Sequence, residues 1–61
     1  MESPHWLLEK VITKRPHWIG IEGGMFRWTP VKERALQLAR REDADKLAEI
    51  IDDAESIVGW P

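Results

Sequence analysis

The sequence predicts an α+β fold: a small, mainly antiparallel sheet, a hairpin over residues 17–29 plus flanking strands, packed on one main helix at about 41–53. Three observations carry this expectation. Gly23-Gly24 stands between His17-Trp-Ile-Gly-Ile-Glu22 and Met25-Phe-Arg-Trp-Thr29, two runs rich in β-branched and aromatic residues. Primed turns need positive φ, which glycine adopts without steric cost, so the pair marks a two-residue hairpin loop. Ala44, Leu47, Ala48 and Ile51 then recur at i, i+3, i+4 and i+7, one apolar stripe on a helix. Finally, residues 5–13 and 55–60 are short, β-branched-rich and bounded by charge or proline, as flanking strands would be.

Each element follows from its residues. Leu7, Leu8, Val11 and Ile12 also fit helical spacing, and Ser3-Pro4 is a competent helix start. The shortness of the stretch and Pro16 just beyond it favour a strand over 5–13. In the hairpin, a two-residue loop sets Glu22 opposite Met25, Ile21 opposite Phe26 and Ile19 opposite Trp28. Ile19, Ile21, Phe26 and Trp28 then share a face able to receive the helix stripe, while Trp18, Gly20 and Arg27 share the other. Thr29-Pro30 opens a turn or short helix over 31–35, and Leu36-Gln-Leu38 either extends it or forms a short strand. Nothing from 31 to 53 is Gly or Pro, yet Arg40-Arg41-Glu42-Asp43 interrupts the apolar stripe. Carboxylates suit the positive end of a helix dipole, so a new helix is expected to start near 41, with Glu42 and Lys46 as an i, i+4 pair.

Sixty-one residues make one domain, expected over 1–61, with modest stability because so short a chain buries only about 60% of its unfolded surface. Without cysteine, Trp6, Trp18, Trp28, Trp60 and Phe26 must supply much of the buried area. The N-terminus lacks a basic-then-apolar leader and no apolar run is long enough to span a bilayer, so no membrane partner and a cytoplasmic location are expected. The net charge of −2 is divided: eight Lys/Arg against four Glu in residues 1–41, then Lys46 against seven acids in 42–61. An acidic helix lying near basic loops accounts for such a split.

The order of elements, with Trp28-Thr29 at a turn, Ala35-Leu36-Gln-Leu38-Ala39 as a strand and Arg41-Glu42-Asp43-Ala44 at a helix start, resembles a class of small phage- and prophage-encoded α+β proteins. The resemblance spans roughly residues 6–60, with Leu38 where such proteins often carry Phe. It implies a bacterial or phage-infected host cytoplasm and brings no activity with it.

The residues argue against an enzyme. There is no cysteine nucleophile or phosphate-cradling glycine loop at a helix start, and Gly23-Gly24 belongs to a hairpin. Pro4-His5-Trp6 recurs as Pro16-His17-Trp18, but paired strands would hold the histidines too far apart to share a metal ion. Glu9 and Glu22 are two surface carboxylates without a pocket. No catalytic residue, cofactor or metal is therefore expected. The expected function is a small protein-interaction module, binding an unidentified partner protein or itself through Trp18, Arg27 and Trp60 on the sheet face away from the helix. The alternative is nucleic-acid binding, with Lys14, Arg15, Arg27, Arg40 and Arg41 contacting phosphate beside a stacking Trp18. The acidic isoelectric point of about 5.6 weighs against it.

Overall fold

The computed structural model describes residues 5–60; Ser3-Pro4, the competing helix start, lies outside them. The chain forms strands β1 (His5–Ile12), β2 (Arg15–Glu22) and β3 (Met25–Thr29), a 3-10 turn (Lys32–Arg34), helix α1 (Arg41–Ile51) and strand β4 (Ser56–Trp60). The four strands make one antiparallel sheet in the order β3-β2-β1-β4. The β2–β3 register is the one a two-residue loop dictates, from Glu22 opposite Met25 to Trp18 opposite Thr29, with Gly23 at φ 59° and Gly24 at φ 78°.

A second tight hairpin joins β1 to β2. Its turn residues, Thr13 and Lys14, take φ values of 53° and 65° although neither is glycine. Left-handed backbone is costly for an ordinary side chain and more so for a β-branched one. The turn persists because β1 and β2 are held in register on its strand side, with Ile12 opposite Arg15 and Val11 opposite Pro16.

Beyond Glu9 and Trp18 the two central strands part, and the chain itself fills the gap. Ala35 bridges to Gly20 and Leu38 bridges to Trp6, the latter by both backbone hydrogen bonds, at 2.7 and 3.0 Å. Leu36 N–H also donates to the Ile19 carbonyl at 2.8 Å. Alternation along this wedge places Ala35 on one face and Leu38 on the other, so it carries the chain through the sheet. Gly20 makes this possible: a Cβ there would lie 2.9 Å from the Arg34 carbonyl oxygen. The space beside Gly20 is taken by backbone.

Both faces are therefore covered. On the first, α1 packs Ala44, Leu47, Ala48 and Ile51 against Leu8, Ile19, Trp6, Trp28 and Ile57. Only half of the four-residue hairpin face meets the helix, because Ile21 and Phe26 lie toward the loop and stay 57% and 46% exposed. On the second face Leu7, Trp18 and Ala35 form a smaller cluster with Val58 and Trp60. Leu7 and Leu8, adjacent in sequence and both fully buried, anchor one cluster each.

Helix α1 begins after Arg40, whose side chain caps nothing, with Glu42 and Asp43 in its first turn. It ends at Ile51, two residues before the expected boundary, because Asp52 turns into left-handed backbone at φ 64° while its N–H still donates to the Ala48 carbonyl. Glu42 approaches Arg40 at 3.8 Å, and no ion pair with Lys46 forms. Asp43 bonds Arg40 at 3.5 Å; that hydrogen bond first, then the charges of Asp43 and Glu42, raise the guanidinium pKa above its ordinary value. Among the described residues no helix is long and apolar enough to cross a membrane.

Candidate functional site

The expected interaction face needs one correction at its centre. Trp18 lies on the face opposite α1, as alternation requires, but it is only 9% exposed. Three things cover it. Its indole N–H donates to Glu9 Oε2 at 2.9 Å, since Glu9 is its direct partner across β1–β2. The Lys32 ammonium sits 5.2 Å from its ring centre and 4.7 Å from that of Trp60, so one side chain from the 3-10 turn lies over both indoles. Ala35 and Leu7 pack around the remainder. The sequence showed no second helix to cover this face, and a three-residue turn with the wedge behind it does so. Trp60 is half-buried in the same cluster, and Arg27 alone of the three expected residues is exposed.

Cation-over-indole packing accounts for part of the basic N-terminal region. Lys10 lies 5.8 Å from the Trp28 ring centre and Arg41 lies 5.6 Å from that of Trp6. Lys10 also pairs with Asp53 at 3.0 Å, tying β1 to the segment after α1. Among the described residues this is the one salt bridge between the sheet and the acidic C-terminal region, so the expected internal neutralisation is slight. The five cations considered for nucleic acid do not form a single patch. Lys14 and Arg15 stand at the β1–β2 turn, whereas Arg41 lies over Trp6, about 20 Å away along β1. Arg40 is engaged by Glu42 and Asp43, and Arg27 belongs to the β3 edge of the sheet.

The other polar candidates are kept apart by register. His17 faces Lys10 and His5 faces Trp60, about 17 Å along β1, and His17 Nδ1 lies 3.0 Å from the Arg15 carbonyl oxygen. Glu9 is committed to the Trp18 indole, while Glu22 stands beside the β2–β3 loop.

What the fold does bring together lies around the exposed hairpin end. An open hollow of about 270 Å³ is lined by Gly20, Ile21, Glu22, Arg27, Thr29 and Arg34. Arg27 enters from β3 and Arg34 from the end of the 3-10 turn; both are exposed. Among the described residues neither has a carboxylate within ion-pair distance. In the sequence Arg34 is only one of the eight cations of residues 1–41, because its proximity to Arg27 depends on the wedge over Gly20. Beside the hollow runs the outer edge of β3, the terminal strand, which pairs with no other strand among the described residues. Met25 is 63% exposed there on the face of Arg27, while Phe26 and Ile21 stand exposed on the opposite face of the tip. A second hollow of about 270 Å³, lined by Arg41, Ala48, Ala54, Glu55, Ser56 and Ile57, lies where α1 meets β4.

No protein-family model, curated protein or solved structure matches this chain.

Proposed function

We propose that this protein is a small, non-enzymatic interaction module that engages a partner protein along the open edge of β3. One observation supports the reading above others: among the described residues β3 has its outer backbone edge unpaired, with Met25, Phe26 and Arg27 exposed on it and Ile21 exposed beside Phe26. Strand edges are templates for pairing, and proteins usually blunt them. Here five residues carry one charge, Arg27, and end in bare apolar side chains. Main-chain hydrogen bonds along such an edge supply affinity, and the side chains flanking it supply selectivity.

The alternation of an antiparallel ladder identifies the groups available. Glu22 with Met25, Gly20 with Arg27 and Trp18 with Thr29 are the hydrogen-bonded pairs set by a two-residue loop. The N–H and C=O groups of Phe26 and Trp28 therefore point away from β2. Amide chemical shifts of labelled protein, titrated with a blocked heptapeptide of alternating threonine and valine with glutamine at its centre, test the reading. The Phe26 and Trp28 amides are expected to shift and to exchange more slowly. Phe26→Pro removes an outward donor without breaking a bond to β2, and should abolish the effect while the sheet's own shifts persist. Shifts absent from β3 at peptide concentrations on the order of 1 mM would overturn the proposal.

A further inference from the structure

The geometry points to a carboxylate-binding subsite beside the β3 edge, in which an acidic side chain of an extended partner segment lies between the guanidiniums of Arg27 and Arg34. This rests on the edge reading and adds the chemistry of the partner. Arg27 is the middle residue of β3 and sits directly across from Gly20. The Arg34 backbone lies on that same glycine, close enough that a Cβ would meet its carbonyl oxygen at 2.9 Å. Two arginines thus border one glycine from different elements, and the hollow of about 270 Å³ opens between them.

The lining suits a single negative charge. Two guanidiniums face one carboxylate, Glu22, leaving one positive charge in excess. Guanidinium forks match the two oxygens of a carboxylate and hold it with paired, charge-assisted hydrogen bonds. Thr29 sets its Cγ2 methyl beside Gly20 in the lining, while its Oγ1 is turned to accept the Val31 N–H at 3.1 Å.

Pairing geometry brings such a group to the right place. A strand added to the outer edge of β3 sets the residue opposite Arg27 on the same face as Arg27, with Cβ atoms about 4.5–5.5 Å apart. Aspartate or glutamate at that position enters the hollow, whereas its neighbours on the strand point toward Phe26 and Ile21. A second copy of this chain does not fit. Full antiparallel overlap of two β3 strands would set Arg27 against its own copy, with an Arg34 beside each, and like charges directly opposite are destabilising. A nucleic-acid phosphodiester also carries one charge, but it cannot continue the β ladder, and the Trp18 indole on this face is buried.

The test compares the glutamine-centred heptapeptide with one carrying glutamate at its centre, and with an oligothymidylate. The glutamate peptide is expected to bind about tenfold more tightly than the glutamine peptide. Arg34→Gln should remove that preference, lowering glutamate-peptide affinity by more than glutamine-peptide affinity, because Arg34 lies off the edge and meets only the central side chain. Glu22→Gln should strengthen glutamate-peptide binding several-fold. Equal affinity for the two peptides, with β3 amides shifting in both, would overturn the carboxylate subsite and leave the edge reading standing. No β3 shift with either would overturn both. Oligothymidylate displacing the glutamate peptide at equal concentration would reassign the arginines to phosphate. Unchanged shifts for Leu7, Leu8 and Ala44 in each variant establish that the fold is intact.

Discussion

Trp18 shows how a residue's environment, not its type, decides what it does. Tryptophan beside arginine on a sheet face reads as a binding hot spot, yet here the indole is buried under Lys32, hydrogen-bonded to Glu9 and packed on Leu7. Trp18→Ala is therefore expected to cost about 3–5 kcal/mol, comparable to the whole stability of a domain this small. Lys32→Ala should cost less, about 1–2 kcal/mol, because its hydrocarbon stem and one charge are lost while the indoles remain. Urea denaturation followed by tryptophan fluorescence checks both. A Trp18→Ala protein as stable as the parent would contradict the packing described for the second face. Gly20 acts by absence, its missing side chain being what lets the Arg34 carbonyl reach the sheet.

Local backbone strain accumulates at two element boundaries. Thr13 and Lys14 close the first hairpin with positive φ at both positions, where Asn-Gly would close it without strain. Asp52 ends α1 in the same left-handed region and adds a negative charge where the helix dipole is already negative. Lys14→Gly and Asp52→Gly are each expected to stabilise the protein by about 1 kcal/mol, Asp52→Gly through both backbone and charge. Thermal melts of the single and double variants check this; the sites share no contact, so the gains should add. The tip of the second hairpin differs in kind. Its glycines remove the strain, and what remains there is exposed apolar surface at Ile21, Met25 and Phe26.

At the scale of the whole molecule, the two apolar clusters are joined by β1. Leu7 faces the 3-10 turn and Leu8 faces α1, so the same strand is the floor of both. An eleven-residue helix is marginal on its own, and neither cluster can keep its floor if β1 leaves the sheet. Leu7→Ala and Leu8→Ala should therefore each lower a single transition, by about 2–5 kcal/mol, seen alike by fluorescence and far-ultraviolet circular dichroism. Separate transitions in either variant would show that the faces unfold independently. The charge division also operates at this scale, since Lys10–Asp53 is the one bridge from sheet to acidic region among the described residues and leaves Arg27 and Arg34 available.

The local code of this chain was legible wherever neighbours along the sequence decide the outcome. Gly23-Gly24 determined the second hairpin and its register, the Ala44–Ile51 stripe determined which side of α1 is buried, and Arg40-Arg41 with the following acids determined where the helix starts. The burial of Trp18 and the approach of Arg34 to Arg27 depended on contacts between distant residues. Ala35–Leu38 inserts between two strands that alternation alone would keep paired; Leu36-Gln-Leu38 offered a short strand as one alternative, but nothing in those residues places it between β1 and β2. The Thr13-Lys14 turn likewise contradicts local preference and is imposed by the strands it joins. Turn and helix signals act over a few residues, where sterics and dipoles have short reach. The wedge through the sheet exists because burying Leu7 and Leu8 on opposite faces requires a cover on each, and among the described residues there is one α-helix to provide it.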